Sequence, residues 1–556
     1  MTLLMITAIS VGSFGSVAAA DNTGARLFTD SSLAGSLDTS TAAVRARYVD
    51  VHFDALDAAW AKPGNVLELN LFNDVSFKAV LKKVNKVSPD GFAYVGRLRG
   101  IALSSVNIVV EDGLMAANIV FPGGAYQVRY AGNGVHVVYE VDQSAYPPEA
   151  EPIPVDLPAD AGADKVSADA LAFDDGSQID VLVVYTDDAR LAAGGTTAMN
   201  TLIDLAISET NTSYANSGIT QQVRLVHKAE VAYDEASFNW NTTLTRLTNT
   251  SDGYMDNVHT LRDTYNADEV VLFVANGDFC GMAWLMTTVS NAFKTSAFAL
   301  VNWDCATGYY SFGHELGHNM GARHDWYVDD AKNSPYTYNK GYVNPGATTA
   351  TRWRTVMAYN NECADSGFSC TRIQYWSNPL KTYGGLPMGV ASGSNSTCTT
   401  GNLSNPNCDA DNHLVLNNTA NTVANFRTST STCPLDEITK DQSKLNLYRE
   451  FRDKALSQTE RGREYTKLYY KHSLEVILLL LKDSSLKNQA RRVLERTIPE
   501  LRLILGGKKN DLSPDLKNRI LSLLKKVSQK ASAKLKTDIE RLMVDIEEGR
   551  SIPGAP

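Results

Sequence analysis

Five residues in one short stretch of the chain have the types and spacing of a metal site. They are His314, Glu315, His318, Gly321 and His324, in the pattern H-E-x-x-H-x-x-G-x-x-H. Two histidines four positions apart lie on one face of a helix, so both imidazoles can reach a single ion. A glycine three residues later can adopt the left-handed conformation that ends a helix. The returning chain can then bring His324 to the same ion as a third ligand.

This ligand set predicts catalysis rather than a structural role. Three protein ligands leave a fourth position open, which is how zinc is held in catalytic sites. Glu315 directly follows the first histidine and is placed to take a proton from a water molecule at that position. The alternative is an exposed polar helix whose histidines contact only solvent. The five-position pattern disfavours it, because chance produces it in about 1 in 5,000 chains of this length.

The segment resembles the active-site motif of the metzincin zinc endopeptidases, and Asp325 after the third histidine resembles their reprolysin-like branch. Metzincins carry a methionine turn beneath the zinc, and Met357 stands 33 residues beyond His324. The resemblance gives Met357 a structural role under the imidazoles. Tyr359 follows two positions later, as in the astacin and serralysin branches, where this tyrosine can approach the zinc. We expect Tyr359 to stabilise the oxyanion or to be a switchable ligand; a packed aromatic residue is the alternative.

Residues 360–410 follow the methionine turn and are rich in Asn, Ser, Gly and Cys. In metzincins this region walls the pocket for the side chain after the scissile bond. Arg372 and Lys381 lie within it, and if either lines the pocket the enzyme prefers an acidic side chain after the cut. Exposed surface charge is the alternative. The region is also similar to bacterial peptidyl-Asp metalloendopeptidases.

A calcium site is a further hypothesis for the end of this region. Asp409, Asp411 and Asn412 offer the hard oxygen ligands that Ca²⁺ prefers, and a simple turn is the alternative.

The composition indicates several domains with different charge. A chain of 556 residues exceeds one ordinary core, so about two to four domains are expected. Residues 434–556 hold 26 Lys+Arg and 18 Asp+Glu, a net charge of +8, within a chain whose net charge is −10. The remainder therefore carries −18.

The first predicted segment of the chain is an export signal. Residues 1–20 are apolar and end in Ala18-Ala19-Ala20, which resembles a signal peptide; a buried first helix is the alternative. Residues 21–150 alternate apolar and polar in short runs, which predicts a β-rich domain. Residues 151–178 have the Pro- and Ala-rich composition of a linker and processing region.

Secreted metzincins commonly carry a propeptide that silences the zinc, so the resemblance implies that residues 21–150 are the propeptide of a zymogen. The segment has no Cys, which excludes a cysteine switch. A carboxylate can occupy the fourth zinc position, and Asp142, Glu149 and Glu151 are the candidates. A solvated edge and a retained binding module are the alternatives.

Residues 179–430 have the β-α-β-α-β order of a metzincin catalytic domain. Asp278–Leu285 would form the strand at the edge of its sheet, where an extended substrate adds through backbone hydrogen bonds. A disulfide-anchored loop is the alternative for this segment.

Residues 434–556 show helical periodicity with interspersed charges, which predicts an all-α domain. Its positive charge would suit contact with the cell envelope, and a solvated helical bundle is the alternative. No nucleic-acid motif accompanies the charge, and no apolar stretch in the chain has the 18 or more residues of a membrane span.

The seven cysteines all lie between Cys280 and Cys433 and none has C-x-x-C spacing, which argues against a second, structural zinc. Local pairing favours Cys363–Cys370 and Cys398–Cys408, with Cys280–Cys305 also compatible, and leaves Cys433 free. Disulfides require an oxidising compartment, so the pattern agrees with secretion. Buried thiols in a reducing compartment are the alternative.

These observations predict a secreted multidomain zinc metalloendopeptidase that acts on proteins or peptides. It has a β-rich prodomain, an α/β metzincin catalytic domain and an all-α C-terminal domain. A zinc amidohydrolase of non-peptide substrates and an inactive, metal-stabilised binding protein remain as alternatives.

Overall fold

The computed structural model describes residues 26–548 except 38–39, 57–61, 89–90, 158–175, 330–333, 395–407, 428–437, 509–511 and several positions between 440 and 458. The described residues up to 427 form one compact unit, and those from 438 onward belong to a second. The predicted signal peptide lies outside the described residues.

The first part of the larger unit is an antiparallel sheet of nine described strands, which confirms the β-rich N-terminal region. Its order is β1-β2-β9-β8-β7-β6-β5-β4-β3, mostly successive hairpins. Alternating side chains bury one apolar face, with Leu67, Leu69 and Leu71 fully inside. The strands are β1 Phe28–Asp30, β2 Ala43–Val51, β3 Val66–Phe72, β4 Val75–Lys86, β5 Phe92–Leu98, β6 Ser105–Glu111, β7 Leu114–Phe121, β8 Gly124–Tyr130 and β9 His136–Val141.

A six-stranded sheet of order β10-β14-β15-β13-β11-β12 follows, and only β14 runs antiparallel to its neighbour β15 among the described pairs. The continuous apolar run of β11 is buried on both faces, as in sheets covered by helices on each side. The strands are β10 Ile153–Val155, β11 Gln178–Tyr185, β12 Gln222–Glu230, β13 Glu269–Val274, β14 Gly281–Met286 and β15 Phe298–Asn302. The helices of this part are α1 Asp187–Ala193, α2 Thr196–Ser217, α3 Trp240–Thr248 and α4 Asn257–Tyr265.

Short elements complete the larger unit beyond β15. They are α5 Ser311–Asn319, β16 Val343–Pro345, β17 Arg352–Arg354, α6 Asn361–Asp365, β18 Thr371–Arg372, β19 Asn378–Tyr383, β20 Leu386–Met388 and α7 Asn412–Val423. Strands β16 to β18 form a small sheet, and β19 pairs with β20.

Helix α2 joins the two large sheets. Its apolar residues share a core with Val109 and Val120 of the nine-stranded sheet and with Val181 and Phe273 of the six-stranded sheet. Its Glu209 accepts a hydrogen bond from Asn118 of β7 at 2.9 Å. The β-rich region and the catalytic region therefore fold against each other as one body.

The second unit is helical, as predicted. Its described helices are α8 Glu460–Lys482, α9 Ser484–Leu505, α10 Pro514–Ser528 and α11 Ala533–Glu547. Their apolar faces meet at Leu480, Leu486, Val527 and Ile539. Within the described part of the chain, no helix combines the length and the apolar character needed to cross a membrane.

Candidate active site

The histidine motif occupies α5 and the turn that follows it. His314 and His318 stand one turn apart on this helix, which ends before Gly321, whose φ of 90° is left-handed as predicted. His324 returns so that the three Nε2 atoms lie 3.1 to 3.2 Å from one another. All three rings are fully buried. The structure thus brings together the three side chains that the spacing selected.

Hydrogen bonds orient two of these rings. Nδ1 of His314 lies 3.0 Å from the carbonyl oxygen of Val356, and Nδ1 of His318 lies 2.8 Å from that of Ala322. A carbonyl accepts only from a protonated Nδ1, so the lone pair of each Nε2 stays available to an ion. Burial lowers the pKa of all three imidazoles, that of His318 to about 3. Neutral, converging imidazoles are the donors that zinc takes.

The predicted methionine turn lies beneath this helix. Met357 is fully buried, and a Cβ at Gly317 would come within 3.0 Å of its sulfur. The methionine therefore packs on bare helix backbone. Asp325 connects the third histidine to this turn, because its carboxylate accepts the backbone N–H groups of Tyr359 and Tyr327 at 2.8 and 3.0 Å.

Glu315 projects from α5 toward strand β14. A Cβ at Gly281 would overlap its carboxylate, so a glycine is needed there. Both carboxylate oxygens are buried without a hydrogen-bond partner among the described residues. Burial raises the pKa of Glu315 well above its ordinary value, the charge of Glu149 adds to this, and Arg372 opposes it. A buried carboxyl without a hydrogen-bond partner and with a raised pKa is typical of functional sites.

A strand forms within the predicted segment Asp278–Leu285, but β10 lies outside it, so β14 is the second strand of the sheet and not its edge. Cys280 N–H donates to the carbonyl of Pro148, and Ala150 N–H donates to the carbonyl of Gly281, at 2.9 and 2.8 Å. Strand β10, Ile153–Val155, then pairs in parallel with β14. Residues 148–155, here called the covering segment, therefore lie along β14, the strand that Glu315 contacts, and include the start of the predicted linker.

Glu149 lies in this covering segment. Its carboxylate oxygen lies 2.5 Å from Nη1 of Arg372 and accepts the Ser311 hydroxyl at 2.8 Å. Its own carbonyl accepts the Tyr359 hydroxyl at 2.9 Å. The Tyr359 ring also lies against His324, with centroids 4.2 Å apart. Residues 149 and 372 are 223 positions apart, so no local pattern in the sequence could join them.

The other two acidic candidates have different surroundings from Glu149. Asp142 caps the turn at Ser144, to which it is bound at 2.8 Å. The side chain of Glu151 is 73% exposed, and its carboxylate lies 3.8 Å from Nδ1 of His324.

The two basic candidates also differ. Arg372 is fully buried and its Nη1 also donates to the Tyr309 carbonyl at 3.0 Å. Lys381 lies on β19, half-buried beside Gly218. Surface charge is therefore excluded as the explanation of Arg372.

The predicted calcium ligands have other partners. Asp411 caps α7 by accepting Leu414 N–H at 3.0 Å, and Asp409 accepts Gly393 N–H at 2.8 Å. Calcium at this place stays a prediction. Among the described residues, only the three histidines form a cluster of metal-binding type.

Two predicted cysteine pairs lie at bonding distance. The Cys280–Cys305 and Cys363–Cys370 sulfurs are 1.98 and 1.97 Å apart. The first anchors the start of β14 to the loop before α5. Cys398 and Cys433 lie outside the described residues.

Comparison with known proteins assigns this site to a family. A family model described as metallo-peptidase family M12 (Reprolysin_5) matches residues 175–377. A peptidyl-Asp metalloendopeptidase of Stenotrophomonas maltophilia (strain R551-3) is 37% identical over 411 residues, which cover 70% of this chain and 87% of the relative. A relative of the same name from Xanthomonas campestris pv. campestris is 36% identical, over 67% of this chain and 84% of its own length.

Proposed function

Because the chain belongs to the peptidyl-Asp metalloendopeptidases of metallo-peptidase family M12, we propose that it is a secreted protease made as a latent precursor. Zinc metalloendopeptidase activity follows from the family, and its substrates are proteins or peptides. The name of the relatives supports cleavage beside aspartate. The two cysteine pairs support an oxidising, extracellular location.

In this proposal, His314, His318 and His324 hold the Zn²⁺ ion. When bound, the ion polarises the scissile carbonyl and lowers the pKa of the attacking water. Glu315 takes a proton from that water, whose hydroxyl adds to the carbonyl carbon. Glu315 then returns the proton to the nitrogen of the leaving amine as the C–N bond breaks. The Tyr359 hydroxyl donates to the oxyanion once the segment it now binds has left.

Two observations carry this function. Three Nε2 atoms converge on α5 and the turn after it, and the carboxylate of Glu315, also on α5, is buried without a hydrogen-bond partner among the described residues. A structural metal peg needs no such base, which disfavours the inactive binding protein. The cleft already holds an extended stretch of polypeptide through backbone hydrogen bonds to β14. This arrangement favours peptides over non-peptide amides.

The test compares the wild-type protein with Glu315→Gln. We expect both to bind one zinc per chain by elemental analysis, and the variant to lose about 10³-fold in casein hydrolysis. Mass spectrometry of the new peptide ends then identifies the bonds cut. Casein cleavage by zinc-loaded Glu315→Gln at the wild-type rate would contradict the role of Glu315. Zinc without turnover in the wild type would favour the peg instead.

N-terminal sequencing of the secreted, active protein tests the precursor. We expect one cut near residue 20 in the intact precursor and a second between residues 156 and 178 in the active form. An active form that still begins near residue 21 would contradict latency by residues 21–157.

A further inference from the structure

Arg372 and Glu149 form an ion pair that is almost fully withdrawn from solvent. The exposed fractions of their side chains are 1% and 0%. A buried charge whose partner is removed is strongly unfavourable, because neither water nor another group replaces the lost interaction. Once the covering segment leaves, the Arg372 guanidinium loses this carboxylate and becomes available to another anion. The same cleft is where the proposed function places the substrate.

The groups around the Glu149 carboxylate are hydrogen-bond donors. Arg372 supplies a guanidinium N–H, and Ser311 supplies its hydroxyl from the first residue of α5. Both donate to the same oxygen, Oε1, and Oε2 has no hydrogen-bond partner among the described residues. An amide oxygen can accept the same two bonds, so these hydrogen bonds do not separate an acid from its amide. The buried positive charge of Arg372 does, because a neutral amide leaves that charge without a counter-charge.

The backbone around Glu149 is held on both sides. The Pro148 carbonyl accepts the N–H of Cys280, the N–H of Ala150 donates to the Gly281 carbonyl, and the carbonyl of Glu149 accepts the Tyr359 hydroxyl. A bound substrate would use the same strand and the same tyrosine. They leave the Glu149 side chain directed to Arg372, as the acidic side chain of a bound peptide would be.

We propose that Arg372 and Ser311 form the pocket that recognises the acidic side chain of a substrate, and that Glu149 fills this pocket in the precursor as an internal substitute. The inference rests on the proposed protease function and adds two things to it. It names the residues that select aspartate, and it makes latency a competition for Arg372.

The first test measures discrimination in the processed enzyme obtained from the full-length chain. Two peptides differ only in Asp or Asn beside the cut. We expect the wild type to favour Asp by about 100-fold in kcat/KM, and Arg372→Met to reduce this ratio to about threefold or less. A ratio is used because general losses of activity cancel in it. Lys381→Met removes a cation from the same region and is the matched control.

An unchanged ratio of kcat/KM for the Asp and Asn peptides in Arg372→Met would contradict the proposed role of Arg372 in the pocket. So would a loss of the ratio in Lys381→Met. If the wild type cleaves neither peptide nor casein, the proposed function fails instead, so the two failures are distinguishable.

The second test addresses the precursor with Glu149→Gln in the full-length, zinc-loaded chain. We expect its initial cleavage rate, measured before self-processing, to exceed that of the wild type by about tenfold. Asp112→Asn removes a carboxylate from the turn between β6 and β7 and should leave the rate unchanged. Equal initial cleavage rates in Glu149→Gln and the wild type would contradict the proposal that Glu149 fills the pocket in the precursor.

A second readout, which does not depend on cleavage by the zinc enzyme itself, accompanies this test. In a Glu315→Gln background the precursor is digested briefly with a broad-specificity serine protease, and cuts within residues 146–157 are followed by mass spectrometry. We expect Glu149→Gln to expose this segment, with cuts about tenfold faster. If the segment stays protected, Glu149 does not hold it in the cleft.

Discussion

Buried histidines occur in both large regions of this protein, and within the described residues only one set converges in a way that can hold a metal. In the β-rich region His136 is 2% exposed, and burial lowers its pKa to about 4. Its Nε2 accepts the backbone N–H of Met115 at 3.0 Å, so its lone pair is already used. In the catalytic region the Nδ1 atoms of His314 and His318 meet carbonyls, which leaves their Nε2 atoms free to converge. Burial of a histidine therefore does not identify it as a metal ligand. A ring nitrogen that has no other hydrogen-bond partner does.

The same comparison separates the tyrosines of the two regions. Tyr94 of the β-rich region donates its hydroxyl to the Leu56 carbonyl inside a closed apolar core. Tyr359 donates to a carbonyl of the segment that covers the cleft. The first bond lies inside the β-rich core, whereas the proposed removal of the covering segment would release the second.

The largest expected effect tests the histidine comparison directly. His318→Ala removes one of three ligands, and we expect zinc content to fall to about a tenth and casein hydrolysis to fall by at least about 10³-fold. His136→Gln, the matched control, should retain zinc and activity while losing some stability. Elemental analysis and a casein assay measure both variants. Full zinc occupancy in His318→Ala would show that His318 is no more a zinc ligand than His136.

The next effect concerns the ion pair that joins the two regions. Arg129 of β8 binds Asp304, and its Nη2 also donates to the Asp304 carbonyl at 2.7 Å. We expect Arg129→Met to lower the free energy of unfolding by about 3–5 kcal/mol, because Asp304 keeps a buried charge. Arg45→Met removes an exposed guanidinium from the same sheet and should change stability far less. Denaturant unfolding of the precursor measures both, and equal losses would show that burial does not set the difference.

A smaller effect on catalysis is expected from the tyrosine comparison. Tyr359→Phe should reduce kcat by about 10- to 100-fold with zinc still bound, because one donor to the oxyanion is lost. Tyr94→Phe should lower the melting temperature and leave kcat unchanged. Activity of the processed enzymes on one peptide, with zinc content, measures this. An unchanged kcat in Tyr359→Phe would make that tyrosine a packing residue only.

The smallest effect, taken per pH unit, is a pH dependence where α2 meets the β-rich sheet. Burial raises the pKa of Glu209 from 4.5 to about 8. The folded protein thus holds a proton that the unfolded chain releases above pH 4.5, so this stabilisation is complete below pH 4.5 and is lost as pH rises to about 8. We expect Glu209→Gln to flatten the fall in unfolding free energy between pH 5 and pH 8 by about 1 kcal/mol per pH unit. Thermal unfolding at several pH values checks this, and parallel profiles would contradict it.

The sequence alone determined the parts of this protein that depend on local geometry. The helical repeat places His314 and His318 on one face, and Gly321 supplies the turn that returns His324. Alternation along the chain was sufficient to predict the β-rich region, since side chains in a strand have a period of two. Two disulfide pairs followed from proximity in sequence and from flanking strands.

Only the tertiary structure decided which residues share the cleft. The sequence singled out Glu149 and Arg372 separately, but their pairing, the burial of Arg372 and the contribution of Ser311 follow from packing between distant segments. Composition assigned residues 151–178 to a linker, yet residues 153–155 pair with β14, because an unpaired strand edge accepts any suitable backbone. Contacts within one turn of helix are set by covalent geometry, whereas contacts across 223 residues depend on how the whole unit folds.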